Sequence, residues 1–128
     1  MNCDDFLPAE LEDELRANAH NGSDDPLPVV KFFNPAGASA WLATELADDG
    51  DTFFGLADLG FGCPELGTFS LAELQALRLP FGLTIERDLY FKTGFRISAW
   101  ATAARAGGSI AAAEQILAAA ARAKREDE

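Results

Sequence analysis

One histidine, two cysteines and one methionine are all that 128 residues offer of the side chains most often recruited to metals and redox work. That scarcity removes whole classes of mechanism. His20 ends a polar helical stretch beside Asn21-Gly22, the position of a surface side chain, so Ser-His-Asp and Cys-His nucleophile schemes lack a base. Cys3 and Cys63 have no second cysteine or histidine at ligand spacing, which argues against zinc. They could close one disulfide, but the acidic opening Met1-Asn2-Cys3-Asp4-Asp5 is not that of a secretory signal, and both are expected to stay reduced. No apolar run approaches eighteen residues, so no membrane span is expected and the cytoplasm is the expected compartment. Gly55 to Gly67 lacks the lysine and spacing of a Walker loop, and Gly60-Phe61-Gly62 is too little for a dinucleotide fingerprint. No cofactor, metal or catalytic residue is assigned, and the reading leans away from an enzyme.

Positive charge is also short, and unevenly so. The net charge is −11; residues 1–51 hold twelve acidic and two basic side chains, residues 52–128 nine and eight. Such a face repels nucleic acid and suits a basic protein surface, although a merely solvated surface accounts for it as well. Hydrophobic content of 48% is that of a globular chain, and the length fits one domain over 1–128.

The chain is organised around Thr52 to Leu74, which reads as strand, glycine-rich corner, short strand and helix start. Before it, Leu7, Leu11 and Leu15 recur every four residues behind Pro8 and predict a helix over 8–19. Val29 to Phe33 reads as a strand ending at Asn34-Pro35. Ala40 to Leu46, the turn Asp48-Asp49-Gly50-Asp51 and the return through Phe53 and Phe54 read as a hairpin. Ser70 with Glu73 matches a capping box for a helix that Pro80 stops. Leu83 to Phe91 alternates strictly, with Leu83, Ile85, Arg87, Leu89 and Phe91 on one face, and predicts a strand. Two helices follow, broken at Gly107-Gly108; the second, alanine-rich over 109–125, is capped by Ser109. The order predicts an α+β fold: a mostly antiparallel sheet of four to five strands with helices on one face and a C-terminal helical hairpin.

Val30-Lys31-Phe32-Phe33-Asn34-Pro35, Trp41-Leu42, Phe54-Gly55-Leu56-Ala57-Asp58-Leu59-Gly60, Cys63-Pro64-Glu65-Leu66-Gly67, Leu71-Ala72-Glu73-Leu74 and Glu86-Arg87-Asp88 together resemble the domain-of-unknown-function family 2958 over about residues 8–105. The resemblance implies a small protein of plasmids, integrative elements or phages. It implies no activity and no catalytic residues.

The remaining chemistry lies in carboxylates and one arginine. Arg87, on the apolar face of its strand, needs a partner, expected among Glu65, Asp58 and Glu73. A convergence of Asp58, Glu65 and Arg87 would form a buried tie or a pocket for a small molecule, nucleotide or hydrolytic substrate. Glu73 is explained by its capping box; Glu86 and Asp88 by a solvent face. Lys31 is expected to snorkel to the rim. Trp41, Phe53, Phe54 and Phe69 read as core, while Phe61, between two glycines, resists burial and suits an interface. Asp48, Asp49, Asp51, Phe61 and Glu65 are thus the interface candidates. The favoured reading is a non-enzymatic acidic protein of a mobile element that inhibits a host nucleic-acid-handling or defence protein, of anti-restriction or anti-CRISPR type, by occupying its basic groove without touching nucleic acid or membrane.

Overall fold

The computed structural model describes residues 6–126. Cys3 and the chain's opening segment lie outside them; Cys63 is an exposed free thiol. Five antiparallel strands form one sheet in the order β4-β3-β2-β1-β5: β1 (Val30–Phe33), β2 (Ala40–Leu46), β3 (Thr52–Asp58), β4 (Glu65–Ser70) and β5 (Glu86–Arg87). The helices are α1 (Ala9–Asn21), α2 (Leu71–Ala76), α3 (Ile97–Gly107) and α4 (Ile110–Glu126). The α+β expectation, the hairpin of β2 with β3, and the C-terminal helix pair are all present.

The helices lie on both faces of the sheet rather than on one. Successive strand residues point to opposite faces. Ala40, Leu42 and Leu56 therefore pack against Trp100, Ala104, Ile110, Ala113 and Leu117 of α3 and α4. Their neighbours Trp41, Ala43 and Phe53 join Phe32, Leu15 of α1, Leu74 of α2 and Ile85 in a second core. The continuous apolar run Ala40-Trp41-Leu42-Ala43 is the sequence signature of a strand covered on both sides.

Register is set by a bulge and a glycine. The β2–β3 pairing shifts between Ala43 and Glu45, and Thr44, fully buried there, donates its hydroxyl to the Phe54 carbonyl. Opposite the bulge stands Gly55. A Cβ on it would lie 1.8 Å from the Leu42 carbonyl oxygen, so no larger residue fits without moving backbone.

The alternating stretch Leu83–Phe91 does not form the long strand that its pattern predicts. Only Glu86 and Arg87 pair, with Phe33 and Phe32. Asp88 then turns the chain: its side chain accepts from the Tyr90 N–H and its carbonyl from the Phe91 N–H. Leu89, expected on the buried face, is 67% exposed. Helix α2 is likewise shorter than the distance to Pro80 allows, ending at Ala76 with Leu77 as its C-cap.

Candidate functional site

Aspartates placed far from the helices they serve close three of the four helix N-termini. The first amides of a helix have no partner within it and attract negative charge. For α4, Ser109 accepts from the Ala112 N–H, and the Ile110 N–H donates to Asp58 Oδ2 at 2.9 Å. Asp58 is 1% exposed at the end of β3, and its other oxygen accepts from Gly60. For α3, Asp25 accepts from both the amide and the hydroxyl of Ser98, which hold its carboxyl below the ordinary 3.8. For α2, Asp51 accepts from the Ala72 amide and the Ser70 hydroxyl, while Ser70 accepts from the Glu73 amide as its capping pattern predicts. Asp49 holds the β2–β3 turn through the Thr52 hydroxyl, the Thr52 amide and the Asp51 amide, which lower its carboxyl to about 2.

These bonds reassign several candidates. Asp49 and Asp51 build the turn and the α2 cap instead of standing free, so reversing them would strike the fold. Asp48 stays exposed and meets His20 at 2.7 Å. His20 is exposed, as its position at the end of a polar helix predicts.

The convergence of Asp58, Glu65 and Arg87 does not occur. Glu65 is on β4, one edge of the sheet; Arg87 is on β5, the other edge. Four strand spacings of about 4.8 Å put them roughly 19 Å apart, and β2 and β1 stand between Arg87 and Asp58. The expected ties of Arg87 to Glu65 or Asp58 and the pocket built on them are therefore excluded by strand order. Lys31 does not end in solvent at the rim; it pairs with Glu114 of α4 and lies 5.9 Å from the centroid of the Phe33 ring.

The glycine corner delivers what its sequence suggests. Gly60 and Gly62 take φ of +90° and +85°, a region that side-chain-bearing residues avoid, and between them Phe61 projects into solvent, 81% exposed. Leu59 beside it is 59% exposed. Ala57, Leu59, Phe61, Cys63 and Glu65 line a hollow of about 210 Å³. The Phe54 ring is partly exposed rather than core, whereas Trp41 and Phe53 are buried.

A family model described as "Protein of unknown function (DUF2958)" matches residues 6–111. The chain belongs to the DUF2958 family. No curated protein and no solved structure is significantly similar to it. The DUF2958 match takes in the corner, β4 and both the Asp58 carboxylate and the Ile110 amide it closes, and stops at the second residue of α4.

A second hollow, of about 310 Å³, lies between the 88–95 segment and α3–α4 of this DUF2958 chain. Several of its polar groups are engaged: the Trp100 indole N–H donates to Thr93, Glu114 pairs with Lys31 of β1, and Asp88 accepts from the Tyr90 amide. Among the described residues no group of three histidine, cysteine, aspartate or glutamate side chains is placed to hold a metal ion, and no helix is long and apolar enough to cross a membrane. Sequence reasoning missed the remote caps. Their only local signal is that Ile97 and Ile110 open helices whose preceding residue is, respectively, no capping side chain at all and one that satisfies a single amide.

Proposed function

We propose that this DUF2958 chain is a non-enzymatic binding protein of a mobile element, which seats the Phe61 corner and an acidic surface on a basic partner protein. The observation that carries the reading is the exposure of Phe61. Holding a phenylalanine in water forgoes about 2 kcal/mol of burial, and two glycines in strained-for-others geometry keep it there. Aromatic anchors of this kind dominate protein interfaces.

Charge supplies the partner's chemistry. From Asp48 to Leu77 the chain has five acidic residues outside the core, Asp58 being the buried sixth, and no basic one. A lysine- and arginine-rich groove that otherwise holds nucleic acid is the complementary surface. Inhibition of a host nucleic-acid-handling or defence protein, of anti-restriction or anti-CRISPR type, is the concrete form of the proposal.

The test is affinity capture from host lysate by wild type and by Phe61→Ser, with melting temperatures measured in parallel. Wild type is expected to enrich basic, nucleic-acid-binding proteins at low salt and release them as salt rises. Phe61→Ser is expected to melt normally and to lose at least about tenfold of that capture. Equal capture by both proteins, or capture indifferent to salt, refutes the reading.

A further inference from the structure

The sheet has two edges of unequal kind. β5 contributes two residues, β4 six. The phase of hydrogen bonding on β4 follows from one bond: the Leu71 N–H donates to the Asp51 carbonyl at 2.9 Å. Register continues unbroken through Phe53–Phe69, Gly55–Gly67 and Ala57–Glu65. Antiparallel pairs alternate between exchanging bonds and not exchanging them. Gly67 and Phe69 thus bond inward to β3, while Leu66 and Thr68 turn their N–H and C=O groups outward, where no described strand lies.

Natural edges are blunted by lysine, proline or a bulge. Between Glu65 and Ser70, β4 has none of these. Its surface is instead shaped to receive. Nothing lies within 4 Å of where a Gly67 Cβ would stand, so a slot opens on that face. Glu65 and the hollow under Leu59 and Phe61 lie on the same face, one step along. The edge also runs from the aromatic corner at Glu65 to the acidic turn at Asp51, opposite ends of β3. It joins the two surfaces on which the binding reading rests.

We propose that β4 is a docking edge that takes an extended, basic segment of the partner protein as a sixth strand. A large apolar side chain of that segment fills the slot over Gly67, and a lysine or arginine two residues on meets Glu65. The inference rests on the binding-protein reading and deepens it. Charge complementarity selects the occupant. Five carboxylates outside the core, with no cation in the stretch between Asp48 and Leu77, favour a basic strand and oppose a second copy of a chain of net charge −11. Main-chain bonds supply affinity in such strand addition, and the slot and carboxylate supply choice.

The probe is a blocked heptapeptide, Lys-Val-Thr-Phe-Thr-Lys-Val, added to the full isotope-labelled chain at low salt, with amide exchange read by NMR. The Leu66 and Thr68 amides are expected to slow at least about tenfold at saturation while Gly67, already bonded, is unchanged. Replacing both lysines by glutamate should weaken binding at least about tenfold. Thr68→Pro, which deletes an outward donor, should remove binding, and Gly67→Val, which fills the slot but keeps every rung, should weaken it comparably. Binding that leaves the Leu66 and Thr68 amides unprotected overturns strand addition and leaves the binding-protein reading standing. Protection that appears without peptide and rises with protein concentration, with a doubled sedimentation mass, gives the edge to a second copy and overturns the basic occupant. No binding at millimolar peptide overturns the inference.

Discussion

Replacing Asp58 by alanine tests the remote-capping account most directly. The carboxylate accepts two amide bonds of 2.9 Å each, and both it and Ile110 are sealed from water. In the variant the Ile110 N–H keeps no partner and water cannot replace it, a cost of about 1–3 kcal/mol. Losing the Gly60 bond and the favourable charge at the α4 N-terminus adds about 1 kcal/mol. The expected loss is about 2–4 kcal/mol, or roughly 10 °C for a chain of this size. Asp58→Asn keeps one acceptor oxygen and should lose about half as much. Urea melts followed by fluorescence suit the question, because Trp41 lies in the α1-side core and Trp100 in the α3–α4 core. Amide exchange at Ile110 should accelerate more than at Leu15. A loss below about 0.5 kcal/mol, the ordinary scale of a surface change, with unaltered Ile110 exchange, would refute the account.

Three further expectations follow from the geometry. Gly55→Ala, forced against the Leu42 carbonyl, should cost more than about 3 kcal/mol, whereas Gly67→Ala, in open space, should be neutral or raise stability by a few tenths; paired thermal melts decide, and similar effects at both sites would refute the clearance argument. The Asp49 carboxyl is depressed from 3.8 to about 2, so its stabilising contribution is complete above pH 4 and fades as pH falls toward 2; the melting gap between wild type and Asp49→Asn should close over that range, and a gap equal at pH 2 and pH 6 would contradict it. Cys63, exposed beside Phe61, should react with a maleimide in the native state without a change in melting temperature, as measured by mass spectrometry and a thermal scan.

What could be read from the sequence was what is decided locally. The hairpin, the Ser70 and Ser109 caps and the Gly107-Gly108 break each depend on a few consecutive residues, and each is present. Phe61 is exposed for the reason its flanking glycines suggested. What failed depends on strand order. After β4 the chain crosses to the far edge and pairs beside β1, so Arg87 and Glu65, 22 positions apart in sequence, end on opposite rims. The strict alternation of Leu83–Phe91 is real, but β1 offers it two paired residues and one further bond, from the Asp88 N–H to the Lys31 carbonyl, before Asp88 turns the chain away. The carboxylates were legible as acids and not as caps, since their partners lie up to 73 residues downstream.

Those long spans have a consequence for the chain while it is being made. Asp51 precedes the Ala72 amide by 21 residues, Asp58 precedes Ile110 by 52, and Asp25 precedes Ser98 by 73. At about 5–20 residues per second of synthesis, Asp58 waits roughly 3–10 s for its partner. Until α3 begins at Ile97, Leu42 and Leu56 have no helical layer above them, because α3 and α4 supply it last. A nascent chain halted at Arg96, before α3 begins, therefore holds a wet apolar sheet face and a carboxylate with only Gly60 for a partner. It is a form that chaperones and proteases recognise and the finished protein never shows.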